Sequence, residues 1–318
     1  MLIVEDGGYL VRRLHRGGSP LLAMVLGAVE QTTKGLWPTE NWGREIAGDK
    51  AVKRDLEGVM YFPLISVPDS RIKQEVEPPI IGNLVVQCIQ ALTSNLSLPG
   101  APVALLGLGT IGMKVDDFLK SLGARVVGYD PSDERVTRFI TKGGYKAATA
   151  VEAVRGSRLV IGCSGKKSIT SDVLANVDHG ACVVSASSDL EEIDRDYLEN
   201  AKIRSQRLAI KDQQWKEGNL WAGTRYILPG PAPREINLLA DGYPVTFWGF
   251  PGMPHEGGDL IMTVILVAAA ELAARNRPDR DKNAEPYPNQ ICRQAVDELG
   301  KEYQMHAQYL RSYHPDAL

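Results

Sequence analysis

One stretch restricts the fold of this chain more than any other: VALLGLGTIGMKVDDFLKSLGARVVGYD, residues 103–130. Val103 to Leu106 predicts a short apolar strand, introduced by the turn signal Leu98-Pro99-Gly100. Gly107, Gly109 and Gly112 follow, and then Val115, Phe118, Leu119 and Leu122 fall at helical spacing before Gly123 stops the pattern. A second strand, RVVGYD, closes on Asp130. Each part has a physical task in a dinucleotide-binding turn. The first glycine makes the tight bend, the second lets the backbone approach a pyrophosphate, and the third lets helix pack on strand. Thr110 and Ile111 then stand at a helix N-terminus that faces the phosphates, and Asp130 accepts from a ribose 2′-hydroxyl. A carboxylate there repels a 2′-phosphate, so the expected cofactor is NAD and not NADP.

The alternation continues with a helix over Glu134 to Ile140, a strand at Leu159 to Ile161, a helix over Ser171 to Ala175 and a strand at Cys182 to Val184. Strands alternating with helices predict an α/β protein with a Rossmann-type, doubly wound parallel sheet. The N-terminal MLIV predicts a strand that ends in Glu5-Asp6-Gly7-Gly8, and a strand needs a sheet that later residues complete. YPVTFW (243–248) predicts one more strand, and DLIMTVILVAAAELAARN (259–276) a helix so apolar that burial on several sides, where two domains meet, is expected. A polar linker (277–290) precedes a helical pattern from Ile291 to Leu310. The expected division is an NAD-binding domain over 80–253, a reduced α/β substrate lobe from 1–79 with 254–284, and a C-terminal helical tail over 285–318, the two lobes flanking a cleft.

Charge and composition narrow the partner. With 36 basic against 39 acidic residues and a net charge of −3, the chain has no electrostatic footprint for nucleic acid or an anionic membrane. It has no apolar run of about 18 residues and no signal-peptide pattern, so a cytoplasmic protein with a small-molecule substrate is expected. Cys88, Cys163, Cys182 and Cys292 lack Cys-x-x-Cys spacing and read as buried thiols in a reducing compartment, with no metal site.

Several short segments, in one order over most of the chain, resemble the S-adenosylhomocysteine hydrolase family. They are EDGGY (5–9), EQTTKG (30–35), PDSRIK (68–73), IGCSGKKSIT (161–170), ASSDLEEID (186–194) and Leu239-Ala240-Asp241-Gly242 before PVTFWG. In that family a tightly held NAD oxidises the 3′-hydroxyl of a nucleoside. The C4′ proton is thereby acidified, the 5′ substituent leaves, water adds and the ketone is reduced again. The resemblance implies that Lys73 assists removal of the 3′-hydroxyl proton and that Asp6 is an acid or base near C4′ and C5′. It also implies that Thr32 and Thr33 touch the cofactor, with Ser164, Ala186 and Thr246 among its later contacts.

Departures from the family are equally specific. Its second glutamate is Gln31, which can hydrogen-bond a sugar hydroxyl but cannot take a proton. Its aspartate four residues after the lysine is Glu77, and the following asparagine is Pro78. Two family histidines align with Ser188 and Met253, and His255, two residues on, is the candidate replacement for the latter; His15, His179, His306 and His314 rank lower. The family's long N-terminal segment, with a further histidine, would precede the point where this sequence starts, and its C-terminal tail is reduced here. The expected activity is therefore the oxidation and elimination half of the cycle, a dehydratase or lyase of a modified nucleoside, in a homo-oligomer or with a partner chain supplying the missing segment. The alternatives are the hydrolase itself, an inactive NAD- or adenosine-sensing relative, and a hydroxyacid-type dehydrogenase, whose cofactor segment GLGTIG and VVGYDP also resemble.

Overall fold

The computed structural model describes residues 1–16, 19–32, 59–60, 62, 64–68, 70–93, 96–200, 203–209, 221–229, 232–249, 252–275, 287–288 and 294–295. The chain divides into two compact units, one formed by Met1–Glu77 with Pro254–Leu318 and the other by Pro78–Met253.

The first unit opens with β1 (Leu2–Glu5), β2 (Gly27–Glu30), β3 (Val59–Met60) and β4 (Leu64–Ser66). β1 lies parallel to β2 with Glu5 opposite Glu30, and β2 parallel to β4 with Glu30 opposite Ser66. The chain leaves β1 through Gly7, whose φ of +104° an L side chain would strain. It then enters the helix Tyr9–Arg16, whose first-turn amides at Leu10 and Val11 donate to the Glu5 carboxylate. Ile3, Val11, Leu14, Val25, Ala28, Phe62 and Leu64 form the core here. A short helix, Arg71–Glu75, follows β4.

The helix Glu77–Leu92, with Pro78 and Pro79 in its first turn where no amide partner is lost, leads into the second unit. That unit holds β5 (Pro102–Leu106), β6 (Arg125–Tyr129), β7 (Tyr145–Lys146), β8 (Leu159–Gly162), β9 (Cys182–Ser185), β10 (Arg204–Ala209), β11 (Trp221–Leu228) and β12 (Arg234–Leu239). Their spatial order is β10-β11-β12-β9-β8-β5-β6-β7. From β12 to β7 every neighbouring pair is parallel, while β11 pairs antiparallel with β12 and β10 antiparallel with β11. β5 alternates strictly: Val103 and Leu105 belong to the core on one face, Ala104 and Leu106 to the core on the other, so helices cover both. The chain proceeds from β5 to β6 on one side and returns to β8 on the other. That reversal of strand order is the topological switch point at which open α/β sheets bind ligands. The expected Rossmann-type α/β fold is what the chain adopts.

The returning chain completes the first unit with the helix His255–Arg275, β13 (Tyr287–Pro288) and β14 (Gln294–Ala295). Three expectations need correction. The long helix is not buried on several sides: Leu260, Ile261, Val264, Ile265, Ala268 and Leu272 are buried, and the helix packs on β1 and β2, but Met262 is 59% and Leu266 67% exposed. YPVTFW is no strand; Val245–Phe247 forms a turn of 3-10 helix, because Pro244 offers no amide to a ladder and Ala240 and Asp241 have already turned the chain through left-handed backbone. Within the helical pattern expected from Ile291 to Leu310, Gln294–Ala295 is instead a strand parallel to β4, and in the preceding linker Tyr287–Pro288 pairs antiparallel with β3. Pairing with free strand edges outweighs the weak helical periodicity there; the remainder of that tail lies outside the described residues.

Candidate functional site

The dinucleotide turn is built by contacts that only glycine permits. Gly107 donates to the Tyr129 carbonyl at 2.9 Å, and a Cβ on it would lie 2.6 Å from the Cys163 carbonyl carbon and the Ser164 amide nitrogen. A Cβ on Gly112 would lie 2.1 Å from the Gly107 carbonyl oxygen. Gly109 differs, since its missing Cβ points into open space with nothing within 4 Å. Gly109 is also the N-cap of the helix Thr110–Ser121 and no side chain caps that end. The first-turn amides of Thr110, Ile111 and Gly112 therefore face outward beside an unfilled space, a donor set that fits a pyrophosphate.

The other predicted cofactor positions line the same sheet edge. Asp130 follows β6, Ser164 follows β8, Ala186 follows β9, and Thr246 lies in the turn after β12. The Asp130 carboxylate accepts from Leu108 N at 2.8 Å and Ser132 N at 2.9 Å, with Arg135 at 3.5 Å. It thus braces the glycine turn. Ala186 N donates to the Gly162 carbonyl at 2.8 Å, and Thr246 is buried. Beside Thr246, Trp248 Nε1 donates to the Trp221 carbonyl, and Trp221 Nε1 to Asp241, each at 2.7 Å.

Sequence reasoning missed Glu192, which ties Ser164 in place. The segment ASSDLEEID gives no sign of which of its acids is buried, yet the Glu192 side chain is buried and collects donors from Ser164, Gly165 and Ser168. Burial pushes its carboxyl above the ordinary glutamate range, against the pull of those donors.

In the first unit the predicted residues gather at the carboxyl ends of three adjacent parallel strands. Asp6 follows β1, Gln31 and Thr32 follow β2, and Lys73 lies shortly after β4. Gln31 Nε2 donates to Asp6 Oδ2 at 2.7 Å and Gln31 N to the Glu5 carbonyl at 3.0 Å. Beneath them Glu30, with no exposed surface, accepts through Oε1 from Gly7 N at 2.9 Å, Thr32 N at 2.8 Å and Thr32 Oγ1 at 2.7 Å. Its Oε2 has no hydrogen-bond partner among the described residues, and burial raises its pKa despite the three donors. The turn after β4 runs from Val67 N to the Glu30 carbonyl and from Ser70 N to the Val67 carbonyl, both 2.9 Å, and Ser70 Oγ accepts from Lys73 N at 3.2 Å. Lys73 Nζ then meets Glu77 Oε1 at 2.6 Å with both side chains largely buried. His255 is exposed at the start of its helix, and no hydrogen bond joins it to Asp6, Gln31 or Lys73 among the described residues. Thr33, His306, His314 and Cys292 lie outside the described residues.

Among the described residues no group of three or more His, Cys, Asp or Glu side chains is placed to hold a metal ion, and no helix is long and apolar enough to cross a membrane. Cys88 and Cys182 are free thiols whose pKa values burial pushes up to about 12 and about 11.

A family model described as the NAD binding domain of 6-phosphogluconate dehydrogenase matches residues 102–207. The adenosylhomocysteinase of Thermoplasma volcanium is 25% identical over 313 residues, covering 95% of this chain and 67% of the relative. The S-inosyl-L-homocysteine hydrolase of Methanopyrus kandleri is 23% identical over 277 residues, covering 87% of this chain and 59% of the relative. The chain thus spans about two thirds or less of the length of these curated relatives. Among solved structures, a dipicolinate synthase chain from Bacillus halodurans aligns with a TM-score of 0.39 at 18% identity, over 59% of this chain and 58% of that one. Glycine turn, strand order and family match agree: the second unit is an NAD-binding domain of Rossmann type.

Proposed function

We propose that this protein is an NAD-dependent enzyme acting on a nucleoside. In this reading the reaction proceeds by transient oxidation of the 3′-hydroxyl, removal of the C4′ proton and elimination of a group from the 5′ side. The observation that carries the reading is the gathering of Asp6, Gln31 and Lys73 at one edge of a parallel sheet, in a chain that also has an NAD-binding domain. Similarity to proteins named for adenosyl and inosyl substrates, in one order along the chain, supports a nucleoside as the substrate class. Bound NAD supplies the hydride acceptor and later the donor. Lys73 assists removal of the 3′-hydroxyl proton, and Glu77, whose Oε1 lies 2.6 Å from Nζ, holds that amine in place. Asp6 takes the proton from C4′. Gln31 steadies that carboxylate through its amide without competing for the proton.

Elimination without subsequent water addition, a dehydratase or lyase activity, is supported by Ser188 and Met253 standing where the resembled family has histidines. Hydrolysis of an S-nucleosyl homocysteine is the second reading, favoured by the relatives' names. Protein loaded with NAD and mixed with a panel of adenosine and inosine derivatives should develop transient NADH absorbance, and product mass separates elimination from hydrolysis. Lys73→Ala should abolish the absorbance while NAD stays bound. No absorbance change with any nucleoside would leave an NAD-binding sensor, not an enzyme.

A further inference from the structure

Glu192 takes no part in that chemistry, yet its carboxylate is 1% exposed and gathers donors from a single loop. Oε2 accepts from Gly165 N at 2.8 Å and shares Ser164 N, at 3.1 Å, with Oε1. Oε1 also meets the Ser168 hydroxyl and lies 2.7 Å from Ser164 Oγ, whose one hydrogen it shares with the Lys166 carbonyl. Space for the side chain comes from Gly162, on which a Cβ would lie 2.5 Å from Glu192 Cγ. The loop gathered in this way is the wall of the dinucleotide turn, since Gly107 rests directly on Cys163 and Ser164 with no room for one carbon between them. We infer that Glu192 is a positioning residue for NAD: it fixes the Cys163–Ser168 loop, and through that loop the glycine turn and the helix end that receive the pyrophosphate.

The chemistry of the contacts separates this role from general core stability. A glutamine in place of the acid could turn its amide oxygen to the Ser164 and Gly165 amides and its NH2 to the two serine hydroxyls, which accept as readily as they donate. Methionine has a similar length and no acceptor for those two amides, so the loop must leave its place to reach water.

The inference rests on NAD being the ligand of this domain, and calorimetric titration with NAD, beside thermal melts without it, tests the two separately. Wild type that fails to bind NAD overturns the cofactor assignment itself. Given wild-type binding, Glu192→Met should bind NAD about tenfold or more weakly, and Glu192→Gln within about threefold of wild type, while both melt cooperatively. Wild-type affinity in Glu192→Met, or equal losses in Met and Gln variants, overturns the positioning role. Should Glu192→Met not fold, Ser168→Ala removes one partner and leaves the core intact; it should weaken NAD by about threefold, and unchanged affinity there counts against the inference equally.

Discussion

Gly109→Ala separates binding from folding more sharply than any other change in the glycine turn. Gly109 has φ −71° and ψ −168°, extended backbone that any residue adopts, and a Cβ there meets nothing within 4 Å. Folding stability should therefore change by no more than about 0.5 kcal/mol, and a smaller unfolded-state entropy could offset even that by about 0.4–1 kcal/mol. For a unit of this size the melting temperature moves by about 2 °C or less. The open space is what a phosphate needs to reach the uncapped amides of Thr110 to Gly112, and a methyl group fills it. Loss of one charge-assisted hydrogen bond, about 1.5–3 kcal/mol, weakens NAD about ten- to two-hundredfold. Gly112→Ala is the control of opposite kind, because its Cβ would sit 2.1 Å from the Gly107 carbonyl oxygen and must break the fold locally before binding is considered. Thermal melts without NAD, paired with calorimetric titration, read both quantities. If Gly109→Ala binds NAD as tightly as wild type, the pyrophosphate does not lie on this helix end and the reasoning fails.

Two further outcomes follow from the acids of the first unit. Burial raises the folded-state pKa of Glu30 above its ordinary 4.5, so its contribution to stability is fully present below that value and is lost as pH rises through the folded value. Glu30→Gln, which does not titrate, should gain on wild type in denaturant midpoint as pH rises above the ordinary value of 4.5, and a difference that stays flat with pH would contradict the burial argument. Gln31→Glu sets a second carboxylate within hydrogen-bond reach of Asp6, where Gln31 now stands 2.7 Å away, so the pair would share a proton. The acid limb of the pH–rate profile should then move up by about one unit or more; an unmoved limb would remove the Asp6–Gln31 contact from the mechanism.

The parts of the fold that could be read from the sequence are those whose causes are local. β5, the glycine turn, the helix Thr110–Ser121 and β6 follow from adjacent residues: Gly107 takes the bend at φ +105°, Gly112 must clear the Gly107 carbonyl five positions away, and apolar residues at regular spacing do the rest. β10 defeats that kind of reading: Arg204 to Arg207 are all exposed, with no buried face to set a period of two, and the strand exists because β11 beside it needs a partner. β14 pairs with Ile65 and Ser66 across more than two hundred residues of sequence, and no local pattern carries such a contact. Nothing local marks Glu30 and Glu192 as buried, since the amides and hydroxyls that make their burial tolerable come from Gly7, Thr32, Ser164 and Ser168. The neighbourhood of Asp6 and Lys73 was legible only through family resemblance; two strand pairings, β1 with β2 and β2 with β4, supply its physical cause.

The first unit is built from both ends of the chain, and the order of synthesis gives this a cost in time. Pro78–Met253 is contiguous and can close on itself as soon as it leaves the ribosome, but β1 and β2 wait for the helix His255–Arg275 that packs on them. At bacterial or eukaryotic elongation rates that wait is about 10–40 s, during which the apolar face of a small sheet stands uncovered. Protease pulses on nascent chains should find Met1–Glu77 open long after the NAD-binding domain has become resistant. A cell making this protein has reason to meet the Met1–Glu77 segment with a chaperone.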